Sequence, residues 1–170
     1  LWLFYEPHCQ LFKIHGNTNK RGVHGNFFNS SISSPSHNLH AVDWLILNKD
    51  EVESFVGKDA QTEAELIQYI GEIRSLGVKN LVVTSGKDNI IYDGEEGQRQ
   101  FEVKKVENVV DVTGAGDAFT SGLIYGWLKS YEIDKIIDLA KANASKTIQT
   151  AYTVRQDLDK KQLIKDMEAL

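Results

Sequence analysis

The chain has one cysteine, Cys9, among its 170 residues. A single thiol closes no disulfide within the chain and builds no multi-cysteine metal cage, so a reducing, cytoplasmic setting is expected. Long apolar runs are also lacking. The N-terminal LWLFY stops after five residues at Glu6 and Pro7 and has no basic stretch before it. It is read as neither a signal peptide nor a membrane span. Positive charge is scarce: 19 Lys and Arg stand against 24 Asp and Glu, for a net charge of -5. That argues against a nucleic-acid footprint, which would need a basic face, although a phosphate site can be built from backbone N–H groups alone. The histidines His8, His15, His24, His37 and His40 show no spacing that puts two on one helix face, so they are not read as a metal site.

What is present is unevenly spread. All five histidines, both prolines and the cysteine lie in the first 40 residues, which hold a single acidic side chain, Glu6. Residues 1–37 form an atypical N-terminal segment, read as loop or disorder and expected to pack apart from the main sheet. From residue 38 onward, elements alternate between turn signals. AVDWLIL reads as a buried strand and KDEVESFVG as a short helix closed by Gly57. Residues 61–76 carry Ala64, Ile67 and Ile70, with Leu66 and Ile73, on one helical stripe that ends at Gly77. LVVT at 81–84 is a β-branched strand. Residues 89–93 and 99–106 read as two more strands joined by the polar turn DGEEGQ. Helices are expected at about 115–129, 133–149 and 158–168. This order points to an α/β layer with a mainly parallel sheet.

The chemistry concentrates in VVDVTGAGDAFTSGLIYG at 109–126. A β-rich stretch is expected to end at Val110. Thr113, Gly114, Ala115 and Gly116 then form a small-residue loop whose backbone N–H groups can converge on one point. A helix follows at once, with Ala118, Phe119, Leu123 and Trp127 on one side, so the loop lies at the positive end of a helix dipole. That is an anion hole suited to phosphate. Asp117 admits two readings. As a first-turn acid it complements the dipole. Beside a phosphate it repels the ligand unless it has a task, and taking the proton of an attacking hydroxyl is such a task.

Asp111-Val112-Thr113-Gly114-Ala115-Gly116-Asp117, with Ser121 and Gly122 on the helix, resembles the C-terminal signature of the ribokinase-like (PfkB-type) carbohydrate kinases. The dinucleotide pattern G-x-G-x-x-G fails, because its third glycine would be Phe119, and no G-x-x-x-x-G-K-[ST] exists. The resemblance implies a ribokinase-like layered fold and an ATP-dependent kinase acting on a hydroxymethyl group. It implies Asp117 as catalytic base and Gly114, Ala115 and Gly116 as the anion hole. It covers residues 38–170, the C-terminal half of a full family member. The half that would supply the first strands, the sugar contacts and a β lid has no counterpart in 1–37.

The same resemblance extends to other positions. LNKDE at 47–51 is similar to the family's N-x-x-E element, which implies that Asn48 and Glu51 hold Mg²⁺ through water. On residue type alone, Asn48 and Glu51 also fit a helix cap and its first-turn acid. VVTSGKDN resembles the segment beside the nucleotide, with Thr84 and Gly86 as contacts and Asn89 where the family often has a second glycine. Asn tolerates the left-handed backbone that such a glycine would adopt. AKANASKTIQTA resembles the helix on the adenine side, which implies Asn143 as a nucleotide contact. Asp111 and Thr113 resemble positions that bind a monovalent cation such as K⁺. The wording NLHAVDWLILNKDE, DVTGAGDAFTSGLIYGWL and TAYTVRQDL is most similar to that of pseudouridine kinases, with Val112 where ribokinases usually have threonine. Asp117, Asn48 and the 114–116 backbone are therefore expected to converge on one cleft. The expected partners are a sugar or nucleoside and, among proteins, a second copy in a homodimer. Neither nucleic acid nor membrane is expected. The alternative is a truncated, non-catalytic remnant with weak nucleotide binding at most.

Overall fold

The computed structural model describes residues 10–17, 20–24, 39–86 and 88–169. The chain divides into two compact units, Leu1–Glu102 and Val103–Leu170. Among the described residues, no helix is long and apolar enough to cross a membrane.

Among the described residues, the first unit holds a six-stranded sheet, two α-helices and a short 3-10 helix at Leu39–Ala41. Strands β1 (Gln10–Asn17), β2 (Lys20–His24), β3 (Trp44–Asn48), β4 (Asn80–Thr84), β5 (Ile90–Gly94) and β6 (Gly97–Phe101) run in the order β2-β1-β3-β4-β5-β6. Trp44 to Leu47 and Asn80 to Val83 are all buried. Burial on both faces explains why these strands read as continuous apolar runs rather than alternating ones. Helices α1 (Lys49–Val56) and α2 (Glu63–Ser75) form the crossover between β3 and β4, which pair in parallel from Trp44↔Asn80 to Asn48↔Thr84.

Both helices start on a reciprocal capping box. Thr62 accepts from Glu65 N–H while the Glu65 carboxylate accepts from Thr62 N–H. Gly57 closes α1 at φ 70° and donates to Glu53 O at 2.8 Å. Leu45, Leu47, Val52, Ile70, Ile73, Val78, Leu81, Val83 and Ile91 form the core, each worth about 1.5–3 kcal/mol when fully buried. The buried stripe of α2 is Leu66, Tyr69, Ile70 and Ile73, so it is rotated from the expected one and leaves Ala64 exposed.

Two expectations change here. Residues 10–17 and 20–24, read as loop or disorder, form an antiparallel hairpin, and β1 joins β3 antiparallel with Phe12 opposite Trp44. Ladder pairing uses backbone groups, so a segment without a clean apolar period can still cover an open strand edge. The rest of the 1–37 segment lies outside the described residues. Among the described residues, parallel pairing, in turn, is confined to β3–β4, and the other four pairings are antiparallel. The links from β4 to β5 and from β5 to β6 are too short for a crossover. The β5–β6 turn tightens to Glu95-Glu96, with Gly94 opposite Gly97, and β6 ends at Phe101 rather than 106.

The second unit holds helices α3 (Ala115–Leu128), α4 (Ile133–Thr147) and α5 (Lys160–Glu168). Their starts and ends fall within a few residues of the expected spans. Helices α3 and α4 approach closely: a Cβ built on Gly122 would lie 2.8 Å from both Ala140 Cα and Leu139 O. Ala118, Phe119 and Leu123 are buried as expected, while Trp127 is only partly covered. No strand leads directly into α3. Residues 103–112 have no regular structure, and Val109, Val110 and Val112 are exposed. The backbone N–H groups of Val110 and Asp111 instead both donate to Ile148 O, at 2.8 and 3.2 Å. A β-branched run without a pairing partner does not make a strand.

Candidate active site

At the glycine loop, Gly114 caps α3 and Ala115, Gly116 and Asp117 open its first turn. Gly114 is the N-cap of α3 at φ 83° and ψ -2°, a left-handed conformation, and it has no side chain to close on the first-turn donors. Ala115 N–H donates back to Val112 O at 3.2 Å and Ala118 N–H to Gly114 O at 2.9 Å. Gly116 and Asp117 face solvent. A Cβ on Gly116 would meet nothing within 4 Å, so open space lies in front of this turn. The carboxylate of Asp117 sits in that turn, at the positive end of the helix. Gly114 itself is covered from one side, because Thr153 O lies 2.5 Å from where its Cβ would be.

Asp111 and Thr113 shape the approach to this loop. Asp111 Oδ1 accepts from Thr113 N–H at 2.9 Å, closing a short side-chain turn. The bonds from the Thr113 backbone and side chain hold the Asp111 carboxyl below its ordinary range.

Asn143 lies beneath the same turn. It is 2% exposed, and its Nδ2 donates to Ala118 O at 2.8 Å and to Ser121 Oγ at 2.9 Å. The residue therefore braces the start of α3 from α4. Its Oδ1 is buried and has no hydrogen-bond partner in the chain, so a nucleotide could meet this side chain only there. Periodicity cannot show this, because the direction of a helix-interior Asn depends on which neighbour approaches it.

In the first unit, Asn48, Glu51 and Thr84 gather at the carboxyl ends of β3 and β4. Asn48 and Thr84 are register partners. Asn48 Oδ1 accepts from Glu51 N–H at 2.8 Å, and Glu51 Oε2 accepts from Asn48 N–H at 2.7 Å. This is a full capping box, so the cap reading of the pair holds whatever else the pair does. Gly86 turns the chain after β4 at φ 57°, with Asp88 N–H donating to Ser85 O at 2.9 Å. Asn89 is not among the residues at positive φ, so the loop does not need a second glycine-like position there.

Burial pushes the Glu51 carboxyl up from 4.5 to about 7; the Asn48 N–H opposes the rise and Asp50 adds to it. A raised carboxyl favours the fold below its ordinary range, and this contribution is lost as pH rises through the folded value. Glu51 is only half-buried, so solvent screening holds the effect to about 1–2 kcal/mol. We expect the unfolding free energy to fall by that amount, relative to Glu51→Gln, between about pH 5 and 8. The Gln variant keeps an acceptor for Asn48 N–H but does not titrate. Urea titrations across the range test this, and parallel pH profiles for the two proteins would refute it.

Residues 8–161 match the pattern described as pfkB family carbohydrate kinase. The chain belongs to the pfkB family of carbohydrate kinases. A 1-phosphofructokinase from Haemophilus influenzae is 28% identical over 130 residues, 76% of this chain and 42% of that protein. The pseudouridine kinase of Escherichia coli is 26% identical over 120 residues, 71% of this chain and 38% of its own length. Among solved structures, Arabidopsis thaliana ribokinase complexed with ribose and ATP superposes with a TM-score of 0.69 at 25% identity, covering 76% of this chain and 41% of that one. The chain thus spans about two fifths of the length of these relatives.

Within this pfkB unit, sequence reasoning missed the segment that covers Gly114. Thr153 reaches the loop from beyond α4, and Arg155 ties the same segment to α5. The polar run TVRQDLD carries a turn signal but nothing that announces a buried guanidinium.

Proposed function

We propose that the chain is the catalytic and nucleotide-handling part of an ATP-dependent kinase that phosphorylates a hydroxymethyl group of a sugar or nucleoside, with pseudouridine as the first acceptor to test. One observation carries the reading: a left-handed glycine caps α3 without a side-chain cap and is followed in the first turn by Asp117. Backbone N–H groups at that helix start would stabilise charge on the transferring phosphoryl group, and Asp117 would accept the proton of the attacking hydroxyl. Positioning and electrostatics supply most of the acceleration in such reactions. The ribokinase relative, solved with ribose and ATP, supports ATP as donor. The similarity to a pseudouridine kinase supports a riboside acceptor. The similarity to a phosphofructokinase makes sugar phosphates the competing class.

The donor set also fits Mg²⁺. Among the described residues, no group of three or more His, Cys, Asp and Glu could cage a metal. Mg²⁺ in phosphoryl-transfer sites keeps its waters and leans on one or two carboxylates. Glu51, pinned by the Asn48 capping box with its carboxyl at about 7, is a group that a neighbouring cation would draw into the ionised form. When bound, the ion would supply charge neutralisation of the phosphates. Thr84 and Gly86 would line the nucleotide on the same sheet end. A monovalent cation at Asp111 and Thr113 would have to use the carboxylate oxygen that Thr113 N–H does not occupy.

The test supplies MgATP and a panel of pseudouridine, uridine, ribose and fructose phosphates, and reads ADP release with phosphorus NMR of the product. We expect a 5′-phosphorylated riboside, and pseudouridine to give the highest kcat/KM. Preferential turnover of a fructose phosphate would replace the acceptor class. No turnover and no ATP binding would overturn the reading.

A further inference from the structure

The segment after α4 crosses the glycine loop at Gly114 as a strap. Thr153 O lies 2.5 Å, and Thr153 Cα 3.1 Å, from a Cβ built on Gly114. The strap is held on both sides of that contact. Before it, the Thr150 hydroxyl lies 2.9 Å from both Thr147 O and Tyr152 O. After it, Arg155 turns inward. Its side chain is 2% exposed, its Nη1 donates to Asp166 Oδ2 at 2.7 Å, and its Nε and Nη2 form a two-pronged contact with Asp157 at 3.0 and 2.9 Å. Asp166 is itself buried and also accepts from Gln162 Nε2 at 2.8 Å.

A buried ion pair of this kind is a weak source of stability, because desolvation offsets most of its attraction. What the planar fork provides is geometry: three donors fixed in one plane, two against the strap's own Asp157 and one against α5. The chain between Arg155 and Thr153 is one residue long. Little slack therefore separates the clamped guanidinium from the carbonyl seated on Gly114.

We propose that Arg155 is a positioning residue for the anion hole: by clamping the strap to Asp166 of α5, it seats Thr153 O on Gly114 and holds that cap in its left-handed conformation. The inference rests on the kinase reading for its purpose, but its geometry can be tested separately. The two amides that report the cap are Ala115 N–H, bonded to Val112 O, and Ala118 N–H, bonded to Gly114 O. If the strap slackens, both bonds open locally while the bodies of α3 and α4 stay closed.

The experiment uses the full chain in two variants. Arg155→Leu combined with Asp166→Leu removes the guanidinium with its buried partner, so no orphaned buried charge remains. Arg155→Lys keeps the charge and loses the fork. Hydrogen exchange is read at Ala115 and Ala118 against Leu139 in α4, and ATP affinity is measured by calorimetry. We expect the double variant to keep its urea midpoint while exchange at Ala115 and Ala118 rises about tenfold over that at Leu139, with a similar loss of ATP affinity and a smaller effect of Lys. Unchanged exchange at these amides in the folded double variant overturns the proposal. If the double variant does not fold, the Lys variant decides: loosening confined to Ala115 and Ala118 supports the clamp, and loosening spread evenly over α3, α4 and α5 refutes it. If the unmutated chain fails to bind ATP, the kinase reading falls while the exchange measurement still decides the clamp.

Discussion

Asp117→Asn should abolish phosphoryl transfer while leaving the fold and ATP affinity nearly intact. Asparagine keeps the shape of the side chain. The start of α3 does not depend on the lost charge, because the cap is the Gly114 backbone and no side-chain hydrogen bond closes it. A first-turn acid interacting with the helix dipole is worth about 0.3–1 kcal/mol, so the unfolding midpoint should drop only slightly. The rate should fall by about 10²–10⁴, the usual contribution of a positioned general base. Removing a negative charge next to the phosphates should, if anything, tighten ATP. Two assays on one protein check this: calorimetric binding of ATP, and turnover with the best acceptor of the panel. Turnover equal to that of the unmutated chain would remove Asp117 from the mechanism.

The parts of the structure that were legible in advance are those written in short-range chemistry. Asn48 and Glu51 read as a helix cap and its first-turn acid within four residues, and the pair closes a full capping box. Gly57 and Gly114 each mark a left-handed residue at a helix boundary, one closing α1 and one opening α3. Strands β3 and β4 announced themselves as short apolar runs, and both are buried throughout apart from their last residues.

The parts that were not legible depend on a partner distant in sequence. The β1–β2 hairpin is held by the edge of β3, a backbone partner that leaves no mark on side-chain pattern. Conversely, Val109 and Val110 have strand-like side chains but no strand to pair with, and their N–H groups go to a single carbonyl, Ile148 O. Asn143 was placed on the right helix, but its contacts with Ala118 and Ser121 span more than 20 residues, and only packing decides that its amide turns inward. The Arg155–Asp166 pair joins a loop to α5 across 11 positions. A sequence shows such residues as ordinary surface charges, the commonest state for both types.

Gly114→Ala should be strongly damaging, and Gly57→Ala is its control. Both glycines have positive φ, 83° and 70°, so alanine at either should pay the left-handed penalty of about 1–2 kcal/mol. At Gly57 the new methyl meets nothing within 4 Å, so the cost should end there. At Gly114 the methyl would lie 2.5 Å from Thr153 O and 3.1 and 3.2 Å from Thr153 Cα and C, all backbone atoms that no rotamer change can move aside. Either the strap lifts or Gly114 leaves the conformation that opens the first turn of α3. Overpacking of this kind costs about a further 1–3 kcal/mol, so the second unit should lose about 2–5 kcal/mol in all. On the proposed kinase reading, ATP affinity should fall by more than about tenfold, because the first turn of α3 would lose its open start. Gly116→Ala separates the two effects. Its methyl has open space and no positive φ to pay for, so stability should hold while the methyl intrudes where the phosphate would sit and weakens ATP. Urea unfolding and calorimetry on the three variants give the answer. Equal midpoints for Gly114→Ala and Gly57→Ala would mean that Thr153 does not constrain the cap, and ATP binding unaffected by both Gly114→Ala and Gly116→Ala would place the phosphate elsewhere.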